Sequence, residues 1–341
     1  MELNKNDLSQ AVTAGILNES QSANLWQWMQ DRNQHKADFS FTNILYYFGG
    51  LIAIGALTLF MTIGWESFGG MGVLMVSLAY MALGLALTHY FLYQKNLAIP
   101  AGITAAFTVA LTPLAVYGLQ HVLGVWADGY SYRDYHVYID WRWIMMEIAT
   151  LVVGAMMLWR YRLPFMMMPI AVTLWYMSMD LAPFWYSDEY IGWDKRQMVS
   201  VLVGAFMIIL ALLVDFRSKN RQKDYAFWLY LFGVMAFWGG LSMMDSGSEF
   251  GKLIYCVINI AMLIFGAIIN RRVFVIFGAF GIAGYLGYLS HNLFENSIMF
   301  PIALSALGFA IIGFGIWWQK NEAKLFGGMR EKFLSHINFA S

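Results

Sequence analysis

Cysteine is almost absent: Cys256 is the single one in 341 residues. That excludes an internal disulfide and any metal site built from thiolates. Charge is scarce as well, at 12% Asp, Glu, Lys and Arg, where a soluble domain carries about 25%. The 21 basic residues are matched by 21 acidic ones, so a nucleic-acid partner has no electrostatic support. Several motifs are missing too. No glycine loop ending in Lys-Ser or Lys-Thr could cradle a phosphate, no His-Glu-x-x-His could hold zinc, and no serine-nucleophile motif is found. This argues against many hydrolases, and no cofactor is implied. The first forty residues are polar and hold no apolar core beside a cleavage site. The expectation is therefore no cleaved signal peptide, with the first apolar stretch acting as an uncleaved anchor.

What remains is apolar, with 60% of the chain hydrophobic. So large an excess cannot be hidden in one soluble core and needs lipid as its solvent. Ten stretches of suitable length stand out: 43–63, 71–93, 97–121, 143–159, 163–181, 198–216, 225–244, 253–269, 273–291 and 298–318. In lipid each must satisfy its backbone within its own segment, so helix is forced. The expected fold class is all-α, a polytopic membrane helix bundle of about ten transmembrane helices. Lys and Arg give its orientation. Sixteen, from Lys5 and Arg32 through Arg160, Arg162, Arg217 and Arg271 to Lys332, fall on one side, and only Arg133, Arg142, Lys195, Arg196 and Lys252 on the other. Both termini are then cytoplasmic by the positive-inside rule.

Three regions follow: a cytosolic helical hairpin over 1–42, the membrane domain over 43–318 and a cytosolic amphipathic tail over 319–341 that contains Phe333, Leu334 and Ile337. In the hairpin, Gly15 suits a helix stop, and Asn18 with Gln21 suits a capping pair opening a second helix. The hairpin either rests on the membrane surface or docks a protein partner. The outward loops, 126–143 and 185–194, are aromatic and acidic. Much of them suits an interfacial belt, and the alternation from Tyr130 to Asp140 also permits a short strand or re-entrant loop. An internal echo links Leu45-Tyr46-Tyr47-Phe48-Gly49 to Leu229-Tyr230-Leu231-Phe232-Gly233, and Leu119-x-His121 to Leu289-x-His291. Either stretches one to four are duplicated as seven to ten in a parallel repeat, or apolar helices share letters by composition.

The polar groups inside or at the rim of the stretches are the candidates for function. Glu147 sits about one turn below Trp143, where a carboxylate needs a partner, solvent or a proton. The structural alternative is an ion pair with Arg142 or Arg133. Asp180 and Asp245 end the fifth and seventh stretches, as members of an acidic vestibule or as solvated helix ends. Thr104, Thr108 and Thr112 share one face just before Pro113, where the helix should bend, either plainly or towards a cavity. Asn259, alone mid-way along the eighth stretch, suits an interhelical hydrogen bond first and a substrate contact second. His121 and His291 lie at similar depth and are weak metal candidates; no metal is assigned. Gly278, Gly281, Gly284 and Gly287 form a packing face.

The hairpin Ala14-Gly15-Ile16-Leu17-Asn18-Glu19-Ser20-Gln21, the run Tyr47-Phe48-Gly49-Gly50-Leu51-Ile52-Ala53-Ile54-Gly55 and the turn Gly64-Trp65-Glu66 resemble bacterial membrane proteins grouped as domain of unknown function 2157. The match covers roughly the first seventy residues. It implies a bacterial inner-membrane location and brings no activity or site residues. Two classes of function stand on these observations. A small-molecule transporter or permease would place Glu147, Asn259 and the threonine stripe around a shared cavity. A scaffold or sensor would be a closed bundle docking partners through the hairpin or outer loops. A membrane enzyme ranks third.

Overall fold

The computed structural model describes residues 5–33, 41–126, 141–185, 193–218 and 223–289, with isolated positions beyond. Every regular element among them is helical. The outward loop over 127–140, most of the tenth apolar stretch and the expected tail over 319–341 lie outside the described residues. Two compact units divide the chain, Met1–Met244 and Asp245–Ser341. The boundary falls between the seventh and eighth apolar stretches, within the second half of the possible repeat.

The first unit opens with α1 (Lys5–Thr13) and α2 (Glu19–Asn33). Gly15 turns the chain at φ 69°, a left-handed value that costs glycine little. The capping pair forms as expected. The Gln21 backbone N–H donates to Asn18 Oδ1 at 2.7 Å, and the Asn18 N–H donates back to Gln21 Oε1 at 3.1 Å. Two groups that a helix start leaves unpaired are thereby satisfied reciprocally.

Eight helices follow in this unit: α3 (Phe41–Ser67), α4 (Gly69–His89), α5 (Ala98–Ala110), α6 (Thr112–Val122), α7 (Trp141–Tyr161), α8 (Met167–Trp185), α9 (Trp193–Arg217) and α10 (Phe227–Met243). They overlie the first seven apolar stretches. Five described helical segments are long and apolar enough to cross a membrane: Gly69–Gln94, Ala98–Val122, Trp141–Tyr161, Trp193–Arg217 and, in the second unit, Glu249–Ile269. A membrane-type helical bundle accounts for both their length and their composition.

The third stretch breaks where the sequence requires. Pro113 cannot donate a backbone hydrogen bond, and the helix is interrupted at Leu111, between α5 and α6. α4 ends differently, in a single π-helical turn over Tyr90–Gln94. Neighbouring helices run antiparallel. Gly118 near the end of α6 meets Gly70 and Leu74 at the start of α4, and Gly240 near the end of α10 meets Gln197 and Val201 near the start of α9. One end of the unit thus collects the last turns of α6, α8 and α10 with the first turns of α4, α7 and α9; it is called the near end below. A cluster of Val73, Leu111, Leu114, Tyr117 and Met146 packs there under Trp126 and Trp143.

The second unit contains α11 (Glu249–Ile269) and α12 (Arg272–Tyr288), which correspond to the eighth and ninth stretches. Gly278 and Gly281 pack against α11, whereas Gly284 and Gly287 meet no neighbour among the described residues. Only half of the expected glycine packing face is therefore used between these two helices.

Candidate functional site

The buried face of α7 carries Met146, Glu147, Thr150 and Gly154, a spacing that places all four on one side of a helix. Glu147 is 8% exposed and Asp180, on the neighbouring α8, is 5% exposed. The two carboxyl groups lie close enough to interact electrostatically. Asp180 lies little more than a turn from the end of α8, and Glu147 little more than a turn from the start of α7. The pair thus sits just inside the near end, within helices that expose mostly apolar side chains to their surroundings.

Among the described residues, no donor hydrogen-bonds to either Glu147 oxygen. The ion pair with Arg142 does not form. Arg142 Nε donates instead to the Val125 carbonyl at 2.6 Å, and its guanidinium lies over the Trp141 ring at 5.5 Å. Arg133 lies outside the described residues. What Glu147 faces is a second carboxyl, and two carboxyl oxygens make a hydrogen bond only when one of them carries a hydrogen.

On α6, packed beside α7, Thr112 and Gln120 are also buried, and among the described residues Thr112 Oγ1 and Gln120 Oε1 have no hydrogen-bond partner. Gln120 Nε2 donates to the Arg142 carbonyl at 3.2 Å. Gln197 on α9 is buried near the same end and donates to the Met243 carbonyl at 2.8 Å. α6 and α7 therefore hold several buried polar oxygens that no described residue satisfies. Chemically, such a region takes up a proton, or holds a small hard cation or water.

The other candidates are placed elsewhere. Thr104 Oγ1 bonds back to the Pro100 carbonyl and meets Thr88 Oγ1 of α4 at 3.0 Å, while Thr108 Oγ1 bonds back to the Thr104 carbonyl. This stripe packs on α4, where Thr108 Oγ1 occupies the space that a Cβ on Gly84 would fill. Asp245 is exposed, and its carboxylate accepts from the Gly247 N–H at 3.0 Å, so it is a solvated turn. His121 is exposed and packs edge-on to Tyr117. His291 belongs to the second unit and is exposed. Among the described residues no group of three His, Cys, Asp or Glu could hold a metal ion.

Asn259 also belongs to the second unit and is fully buried. Its Nδ2 donates to the Tyr255 carbonyl of its own helix, and Oδ1 has no hydrogen-bond partner among the described residues. Among the described residues Asn259 makes no hydrogen bond to another helix. The amide is instead pressed against the backbone of α12 at Gly281, a close approach in which only Cα hydrogens face the oxygen.

Sequence reasoning named Glu147 and Asp180 separately and missed their pairing. It missed Gln120 and Gln197 altogether, although each is a strongly polar residue at the end of an apolar run. The chain matches no known family model, no curated protein and no solved structure.

Proposed function

We propose that this chain is a multi-pass membrane protein of about ten spans that moves a small solute in a proton-linked manner, with Glu147 and Asp180 as the proton site. The reading rests on one observation: two buried carboxyl groups from adjacent helices lie within electrostatic reach of each other, and among the described residues no donor reaches either oxygen of Glu147. An ionisable residue buried among membrane helices marks a relay or substrate path more often than a structural element. A proton shared by two carboxyls binds and leaves without rearrangement of a salt bridge, as a coupling ion must. Both termini are placed in the cytoplasm by the Lys and Arg distribution, and the near end then faces outward. The resemblance of the first seventy residues supports a bacterial inner membrane as the location.

Reconstitution into liposomes under an imposed pH gradient tests this. Vesicles containing the native protein, offered a mixed pool of small metabolites, accumulate at least one solute above empty vesicles, and Glu147→Gln vesicles do not. No accumulation by the native protein defeats the transport reading.

A sensor is the second reading. It is favoured by the burial of Asn259 and Thr108 and by the hydrogen bonds that engage Thr104 and Thr108 within the helix packing. In that case the same carboxyl pair reads pH, and the capped hairpin α1–α2 presents the output to a protein partner. Hairpin protection from proteolysis that changes with pH, without solute uptake, distinguishes it.

A further inference from the structure

At the opposite end of the first unit a groove of about 570 Å³ runs between α7, α8, α9 and α10, within the size range of small-molecule sites. Its walls include Ala155, Leu158, Ile170, Leu174, Leu210 and Val214, all apolar. It is open along one side, where Ala155 is exposed and Trp159 is 78% exposed. Two lining residues carry polar heads, Arg162 and Tyr225. Both belong to one end of the groove: Arg162 follows the last turn of α7, and Tyr225 precedes α10.

The details of this end leave the Arg162 side chain available. Arg162 turns the chain at φ 53°, and its carbonyl accepts a hydrogen bond from the Tyr225 hydroxyl. The backbone is thereby tied while the guanidinium is exposed. Nearby carboxylates are engaged locally. Asp224 accepts from the Phe227 N–H at the start of α10, and Asp215 accepts from the Tyr230 hydroxyl. Arg160 donates to the Tyr93 hydroxyl at 2.9 Å. Arg217 ends α9 at the same level. An apolar channel on the flank of a helix bundle, crowned by an exposed guanidinium, matches an amphiphile with a hydrocarbon chain and an anionic head.

We infer that this groove is a binding site for an anionic glycerophospholipid, with one acyl chain between α7, α8 and α9 and its phosphate on Arg162. The groove is separate from the carboxyl pair and does not depend on the transport reading.

Native mass spectrometry of the full-length protein, released from nanodiscs of mixed phosphatidylglycerol and phosphatidylcholine, tests it. The native protein retains phosphatidylglycerol about fivefold over phosphatidylcholine, the scale set by one basic residue at a lipid surface. Arg162→Gln loses that preference, and Ala155→Phe, which narrows the groove, loses bound lipid of both kinds. Added glycerol phosphate does not compete, because the chain supplies much of the binding. The inference is overturned if the native protein shows no preference, if Arg162→Gln keeps it, or if Ala155→Phe retains lipid as the native protein does. The last outcome would mean a head group held on the surface without the groove. Competition by glycerol phosphate would assign the site to a free anion.

Discussion

Gly281 and Asn259 show how much depends on single side chains in this protein. A Cβ at Gly281 would lie 1.9 Å from Asn259 Oδ1, so the amide fits only against glycine. Gly281→Ala is therefore expected to destabilise the protein by about 1–3 kcal/mol through overpacking. Gly284→Ala, three residues on and meeting no neighbour among the described residues, should be neutral or stabilise by up to about 1 kcal/mol by lowering chain entropy. Thermal melting in detergent checks both. Shortening the amide, as Asn259→Ala in the Gly281→Ala background, should recover much of the loss; no recovery would place the strain elsewhere. The same single-residue logic governs the carboxyl pair. Glu147→Gln supplies an amide donor towards Asp180 and should leave the melting temperature near the native value, whereas Glu147→Lys buries a cation among apolar neighbours. Its amine would have to contact Asp180 to be tolerated.

The helices themselves were largely legible in the chain, because length and apolar content decide where a helix can form when no water is available to the backbone. α4 with its π-helical turn, α7 and α9 cover their apolar stretches to within a few residues. The break at Leu111 follows from Pro113, and the start of α2 follows from Asn18 and Gln21. Side-chain pairing was not legible. Whether Glu147 meets Arg142 or Asp180 depends on the rotation of α7 and on which helix lies beside it, and neither is encoded in hydropathy. Of the glycine series of α12 only Gly278 and Gly281 pack on α11, since a repeat of three drifts around a helix of 3.6 residues per turn. Close crossings give the sharpest element-level test. A Cβ at Gly204 of α9 would lie 2.3 Å from the Phe237 backbone nitrogen of α10, whereas one at Gly239 meets nothing. Gly204→Ala should cost about 1–3 kcal/mol by forcing the pair apart, and Gly239→Ala should be tolerated. Equal melting temperatures would contradict the crossing. At the hairpin, Asn18→Ala should cost α2 about 1 kcal/mol, seen as faster hydrogen exchange over its first turn.

For the whole molecule, the positive-inside asymmetry makes a prediction that a single cysteine can test. In a Cys256→Ser background, Ser9→Cys in α1 should react with an impermeant thiol reagent only from the cytoplasmic side. Ser246→Cys, in the exposed turn after α10, should react only from the opposite side. Labelling of both from one face would remove the ten-span topology. On the proposed topology Glu147 and Asp180 would lie just beneath one membrane surface, within reach of protons from that side. The most direct test is an infrared difference titration of the full-length protein in lipid, comparing native, Glu147→Gln and Asp180→Asn. A shared proton predicts a carboxylic-acid carbonyl band in the native protein that shifts in deuterium oxide, disappears in Glu147→Gln and moves in Asp180→Asn. A native spectrum whose carboxylic-acid bands are unchanged by both substitutions would contradict it.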